Sequence, residues 1–414
     1  MHPKPPLVAL IRNPAIAPLF LARLAGNAGD GFGQVALAFG VLHLGYGPGG
    51  LSAVVACKTL PMLLVLAGGV VGDRFRRHRV MSGAEAMAAV AWAGLAACFL
   101  DGRAPLAIVC ALALCAGLAR AVLIPAERGI VADLVNGQDR QVANALVGQT
   151  VAAGLLIGLG TAGFVVAAVG PGWAALVKAG TAIVGAVLLG RLRTPVWRTE
   201  RAGLLADLRD GWREFTAYRW VWVLTVQFTA VAVAVGAFAG VIGPVYMERG
   251  HGGAGAWGMV AGAEAFGALL GGLVAVWWCP VRPVRVLALL PLSAAGPMLL
   301  AGTGASWPVL AAVMLVPGAC QTIYAVLWTT TVQATFPPHV LARVSSWNVL
   351  GGFALTPVGA LAAGPLIAQV GASTAAAGAG LLVITTTAGV LLSGPVRRTR
   401  VSRMGGGTTT STAS

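Results

Sequence analysis

Apolar runs of about 20 residues dominate the sequence, and short polar or glycine-rich stretches separate them. A run of this length spans the hydrocarbon core of a bilayer as an α-helix, whereas strands of a membrane barrel are about 10 residues long and alternate in polarity. Only 10% of the residues are charged and the mean hydropathy is +0.84, against about 25% charged residues in an ordinary soluble domain. We therefore predict an all-α membrane protein, because backbone groups in hydrocarbon must be paired within helices or closed barrels.

The runs predict twelve transmembrane helices in two six-helix bundles. The first six spans are predicted at 18–42, 51–71, 80–100, 104–125, 144–168 and 172–190. The last six are predicted at 219–241, 254–278, 284–303, 306–329, 346–368 and 373–393. The predicted domains are an N-terminal bundle at 1–190, a cytoplasmic linker at 191–218, a C-terminal bundle at 219–396 and a cytoplasmic, disordered tail at 397–414.

Basic residues in the predicted loops fall on one side of the membrane. If the N-terminus is inside, only Arg103 and Arg249 lie in outer loops. Lys and Arg accumulate on the cytoplasmic side of membrane proteins, so we predict a plasma-membrane protein with both termini in the cytoplasm. The same distribution accounts for the net charge of +15 without a nucleic-acid partner.

A weak internal repeat supports the division into halves. The letters ANAL open the fifth predicted span and WNVL opens the eleventh, with Asn144 and Asn348 lying 204 residues apart. Parallel repeats of six spans are typical of transporters whose substrate site lies near the membrane midplane between the repeats.

The loop after the second predicted span reads GGVVGDRFRRHRV. With twelve spans, it resembles the signature loop of the major facilitator superfamily, although Arg76 stands where the family has a second glycine. The resemblance implies that the loop latches the cytoplasmic side closed and opens during transport. The matching positions of this gating loop are Gly69, Asp73, Arg74, Arg77 and Arg79.

Stretches at 117–146 and 331–359 resemble the drug and siderophore exporter branch, which includes macrolide-efflux and enterobactin-exporter-like proteins. Drug/proton antiporters of the superfamily often carry a glycine-rich motif with a proline in the fifth span. Here Gly154, Gly158 and Gly163 match that motif, and Leu159 stands in place of the proline. The letters GLGTAG also match a nucleotide-binding pattern, but they lie inside an apolar run, where helix packing is the better interpretation.

Two carboxylates lie inside predicted spans, Asp30 in the first and Glu264 in the eighth. A charge in hydrocarbon costs about 3 kcal/mol or more and is a functional candidate by default. A carboxyl group held away from water resists ionisation and can exchange a proton near neutral pH, so we predict both as proton carriers. The alternative is a permanent structural pair with a cation such as Arg23, Lys58 or Arg120.

Polar and aromatic side chains share faces of several predicted helices. In span one the polar residues from 23 to 34 are spaced 4, 3 and 4 apart, and in span ten Gln321, Tyr324 and Trp328 are spaced 3 and 4 apart, so each set lies on one face. Such a combination suits an amphipathic ligand. The predicted substrate-pocket residues are Arg23, Asn27, Gln34, Arg120, Gln149, Gln227, Phe228, Gln321, Tyr324 and Trp328.

These features predict a monomeric secondary transporter, a proton-driven exporter of a drug-like or siderophore-like molecule that works by alternating access. Its expected partners are a small-molecule substrate, protons and membrane lipid. A lipid flippase or a solute importer on the same fold is the alternative, and a non-transporting scaffold or a membrane-embedded enzyme is less favoured. No ATP-binding loop, metal-ligand spacing or catalytic motif is present in the sequence, so no cofactor, metal or enzymatic activity is expected.

Overall fold

A computed structural model of the chain describes residues 13–14, 16–64, 76–135, 139–194, 216, 218–278, 280–336 and 355–393. Regular structure in these ranges is helical throughout. The helices of the first half are α1 (Ala17–His43), α2 (Gly47–Thr59), α3 (Arg77–Asp101), α4 (Leu106–Leu134), α5 (Arg140–Val169) and α6 (Pro171–Gly190). A 3-10 turn, Leu60–Leu64, continues α2.

The second half contains spans that are broken by local changes of helical pitch. Its helices are α7 (Arg219–Ala237), α8 (Gly243–Glu248), α9 (Gly253–Trp277), α10 (Pro283–Leu289), α11 (Ala295–Gly302), α12 (Trp307–Thr335), α13 (Thr356–Val370) and α14 (Ala372–Leu392). A π-helical turn, Phe238–Ile242, joins α7 to α8, and a 3-10 turn, Leu290–Ala294, joins α10 to α11. Each joined pair therefore forms one continuous span.

Among the described residues, ten helical stretches are long and apolar enough to cross a membrane. The 27-residue α1 occupies the position of the first predicted span, and α13, a shorter apolar helix, covers part of the eleventh. The structure thus supports a multi-pass membrane protein. The count of twelve spans and the domain boundaries stay predictions.

Helices within each half pack mainly on one another, with α1 against α5 and α6, α3 against α6, and α9 against α12. The two halves meet along two helix pairs, α5 with α9 and α2 with α13. Glycines permit close approach: a Cβ at Gly158 would meet the Ala28 backbone of α1, and a Cβ at Gly163 would meet the Gly258 backbone of α9. The GLGTAG stretch therefore packs helices, as interpreted from the sequence.

The two halves repeat each other with an offset of 201 residues. Helix α4 begins at Leu106 and ends at Leu134, and α12 begins at Trp307 and ends at Thr335. The Tyr46 hydroxyl donates to the Ala104 carbonyl oxygen at 2.7 Å, and the Tyr246 hydroxyl donates to the Ala305 carbonyl oxygen at 2.8 Å. Corresponding bonds thus tie corresponding loops in both halves.

The same offset relates two single-residue helix connections. Gly170 joins α5 to α6 at φ 93° and ψ 165°, and Gly371 joins α13 to α14 at φ 83° and ψ 164°. These positive φ values favour glycine strongly over residues with a Cβ. The predicted offset of 204 residues depended on Asn348, which lies outside the described residues.

Candidate functional site

Two cavities lie side by side where the halves face each other. The polar cavity, of about 350 Å³, is bounded mainly by first-half helices, and the apolar cavity, of about 290 Å³, is bounded by second-half helices. Gly236, Ala239 and Thr356 line both cavities. The polar side chains of the polar cavity are Asp30, Gln34, Lys58, Thr59, Glu85, Arg120, Lys178 and Thr356.

A chain of ion pairs crosses the wall of the polar cavity. The Lys178 Nζ of α6 lies 2.7 Å from Asp30 Oδ1 of α1, and Arg120 Nη1 of α4 lies 3.7 Å from Asp30 Oδ2. Arg120 Nη1 also lies 3.5 Å from Glu127 Oε1, and Glu127 pairs with Arg23. Asp30 is thus engaged by two cations, one of which, Lys178, was not among the partners considered from the sequence.

Two predicted pocket residues of α1 lie away from both cavities. Arg23 points to Glu127, and Asn27 Nδ2 donates to the Arg23 carbonyl oxygen at 2.8 Å. Both border a separate void of about 10 Å³, roughly the space of one water molecule. Their positions give the substrate-pocket prediction no support, whereas Gln34 on the same helix does line the polar cavity.

Lys58 and Glu85 bring two further charges to the polar cavity. Neither forms an ion pair with any residue that the structure describes. The Lys58 Nζ lies 5.4 Å from the centroid of the Trp92 ring, within the range of a cation–π interaction. Glu85 is buried, with 7% of its surface exposed.

The apolar cavity contains one carboxylate and an aromatic stack. Glu264 of α9 lines it, with no hydrogen bond or ion pair to the described part of the chain. The Phe228 and Tyr324 rings are stacked at 5.3 Å and 7°, and the Tyr324 and Trp328 rings at 6.1 Å and 9°. Phe228, Tyr324 and Gln321 line the cavity, and Trp328 lies behind Tyr324. The Tyr324 hydroxyl is buried and has no hydrogen-bond partner among the described residues.

Two other predicted pocket residues lie elsewhere. Gln227 is buried, and its Nε2 donates to the Ala288 carbonyl oxygen at 2.8 Å and to Thr387 Oγ1 at 3.0 Å, inside the second half. Gln149 of α5 is exposed and lines neither cavity. For these two residues the geometry indicates packing and surface positions.

The gating loop is described only from Arg76 onwards, so Gly69, Asp73 and Arg74 lie outside the described residues. Arg77, at the start of α3, donates from Nη1 to Asp133 Oδ1 at 3.0 Å and to the Gly129 carbonyl oxygen at 3.1 Å. Arg79 is exposed. Arg77 therefore ties the start of α3 to the last turns of α4.

At the opposite end of the helices, a pair of side chains bridges the halves. His43 Nε2, at the end of α1, lies 3.8 Å from Glu248 Oε1, at the end of α8. The α5 and α9 backbones meet toward the same end, at Gly163 and Gly258. This end is closed by contacts between the halves.

Sequence reasoning missed four charged residues of the site: Lys58 and Lys178 as cavity cations, Glu85, and Glu127. Each is a lone charge in an otherwise apolar run, which is the signal that pointed to Asp30 and Glu264. Among the described residues, no group of three or more His, Cys, Asp or Glu side chains is placed to hold a metal ion.

Comparison with known proteins gives a family match. The sequence matches the family described as Major Facilitator Superfamily over residues 15–360. No curated protein matches the sequence. Similar solved structures include a nucleoside transporter, NupG, with a TM-score of 0.73 and 10% identity, covering 93% of this chain and 99% of that chain.

Two other solved structures are comparably similar. A bacterial homolog of the human lysosomal transporter Spinster, in an inward-facing and occupied conformation, has a TM-score of 0.68 and 14% identity, covering 94% of this chain and 99% of that chain. A POT family transporter in complex with 5-aminolevulinic acid has a TM-score of 0.71 and 13% identity, covering 91% and 95%. At such identities the likeness shows the fold.

Proposed function

Because the chain belongs to the major facilitator superfamily, we propose that it is a proton-driven exporter of a drug-like or siderophore-like molecule in the plasma membrane. The observation that carries the proposal is the pair of adjoining cavities between the halves, one polar and one apolar. Solvent-accessible space at the interface of two repeats is where transporters of this architecture bind substrate.

Alternating access requires that contacts closing one end break while contacts at the other end form. His43–Glu248 and the α5–α9 glycine contact close one end, and Arg77–Asp133 lies at the other. With both termini in the cytoplasm, as we propose, the end closed between the halves is extracellular. Substrate would then reach the cavities from the cytoplasm or the inner leaflet.

For proton coupling, the two candidate carboxylates differ in their surroundings. Asp30 is held by Lys178 and Arg120, so its protonation would release two cations and could drive a rearrangement of the first half. Glu264 lies in the apolar cavity with no described ionic partner, so it can take up a proton without breaking an ion pair. We propose Glu264 as the proton carrier and the Asp30 pair as an element that responds to it.

The test uses everted membrane vesicles from cells with and without the protein, energised so that the lumen is acidic. Three fluorescent probes share one apolar body and differ in head group: pyrenebutyrate, pyrenebutanol and a pyrenebutyl trimethylammonium salt. We expect accumulation of at least one probe, abolished when an ionophore collapses the proton gradient. Accumulation only in right-side-out vesicles would favour an importer. If no probe accumulates above control vesicles in either orientation, the transport proposal fails for amphipathic compounds of all three charge types.

A further inference from the structure

We propose that the polar cavity binds the acidic head group of an amphipathic organic anion whose apolar body occupies the adjoining apolar cavity. The head group is a carboxylate, sulfonate or phosphate. This inference rests on the proposed transport function and adds to it the chemical class of the substrate.

The first argument is the balance of charge around the polar cavity. Three cationic side chains line it, Lys58, Arg120 and Lys178, against two carboxylates, Asp30 and Glu85. The nearby Arg23–Glu127 pair is neutral overall. From the second half, the lining consists of small and neutral residues, so nothing there offsets the surplus; these residues are Gly236, Ala239, Gly240, Thr356 and Ala360.

The second argument is that one of the three cations is available to a ligand. Lys178 is held by Asp30, and Arg120 is shared between Asp30 and Glu127. Lys58 lies in the cavity wall with the Trp92 ring beside it, and no described carboxylate pairs with it. An ammonium group that has left bulk water is costly unless an anion accompanies it. An incoming acidic group would supply that anion.

The third argument concerns the apolar cavity, which fixes the orientation of the ligand. Its walls are formed by the Phe228–Tyr324 stack together with aliphatic and thioether side chains, among them Leu290, Met298 and Met314. When ionised, its carboxylate, Glu264, repels an acidic head group. An aromatic or aliphatic body therefore fits this cavity, and the head group lies on the Lys58 side.

The two cavities are joined by residues that leave room for a connecting segment. Gly236 and Ala239 carry the smallest side chains, and Thr356 presents a buried hydroxyl without a hydrogen-bond partner among the described residues. One molecule can thus occupy both cavities and donate to or accept from Thr356 at the junction.

The experiment measures binding of the three pyrene probes to the purified full-length protein in nanodiscs, with empty nanodiscs subtracted. We expect pyrenebutyrate to bind about ten-fold more tightly than pyrenebutanol, and the trimethylammonium probe to bind more weakly still, because a desolvated charge pair is strongly favoured over an unpaired charge. Lys58→Gln should weaken pyrenebutyrate binding about ten-fold and leave pyrenebutanol binding unchanged. Lys58→Arg should retain most of the affinity.

The matched control is Arg103→Gln, which removes an exposed cation outside both cavities and should leave all three affinities unchanged. Equal or tighter binding of pyrenebutanol or the cationic probe by the wild-type protein would overturn the proposal, and this comparison stands even if Lys58→Gln does not fold. Equal loss of all three probes in Lys58→Gln would also overturn it. If vesicles transport the cationic or neutral probe but not pyrenebutyrate, the transport function survives and the acidic substrate class does not.

Discussion

Lys178 Nζ donates a 2.7 Å hydrogen bond to Asp30 Oδ1 and so joins two helices whose residues are 148 positions apart in the chain. The Lys178 side chain is 6% exposed, whereas that of Asp30 is 33% exposed and faces the polar cavity. The pair therefore has a structural partner on one side and an accessible group on the other.

Asp30→Asn should abolish proton-driven accumulation of the transported pyrene probe and lower stability. The substitution leaves Lys178 buried without its nearest counter-charge, and removing one member of a buried pair typically costs about 3 kcal/mol; the partial exposure of Asp30 reduces this toward ~2 kcal/mol. Thermal unfolding in detergent checks the stability effect. Adding Lys178→Met should restore the melting temperature but not transport. Full transport by Asp30→Asn would remove Asp30 from the coupling mechanism.

Glu264→Gln should uncouple transport from protons with little change in melting temperature, because the described structure gives this side chain no ionic partner to lose. The measurement is probe-dependent proton flux in proteoliposomes, alongside probe exchange without a gradient. We expect exchange to persist while proton flux disappears. Unchanged proton flux would show that Glu264 does not carry the proton.

Gly258→Leu should prevent closure at the α5–α9 contact, because even a Cβ at this position meets the Gly163 backbone. The end of the molecule near His43 and Glu248 should then open. Spin labels at positions 43 and 248 in a cysteine-free background measure the distance between the halves, which we expect to lengthen. Gly180→Leu is the matched control, since a Cβ there meets nothing within 4 Å. An unchanged distance distribution in Gly258→Leu would contradict a closing role for the contact.

Arg77→Gln should slow transport by removing the bond between the start of α3 and Asp133 on α4, whose side chain is 4% exposed. A single charge-assisted hydrogen bond of this kind is worth about 1.5–3 kcal/mol. The initial rate of probe accumulation measures the effect, and the charge-swapped double variant Arg77→Asp with Asp133→Arg tests the pair. Partial recovery in the double variant is expected; identical rates in Arg77→Gln and wild-type protein would exclude a gating role for this bond.

Local sequence was sufficient for features contained in one helix. The apolar runs predicted most helices because span length is set by bilayer thickness, and the spacing of Gln321, Tyr324 and Trp328 predicted their common face because helical geometry fixes it. Tyr324 does stack with Trp328.

Features between helices were not predictable in the same way. The Asp30–Lys178 pair depends on how α1 and α6 are rotated against each other, which no local spacing encodes. For the same reason Gln227, on an otherwise suitable helix, faces Ala288 and Thr387 inside the second half. Tertiary packing decided which polar side chains reach the cavities.

The 201-residue repeat has a consequence for how a substrate is held. Two identical halves would offer the same groups from both sides, and a bound molecule would have two equivalent orientations. Here the backbone repeats, as Gly170 and Gly371 show, but the interior charges do not: the described first half holds the ion-pair chain and the second holds Glu264 and aromatic rings. The inherited two-fold symmetry of the framework is broken by its side chains, which gives the binding site a head and a tail.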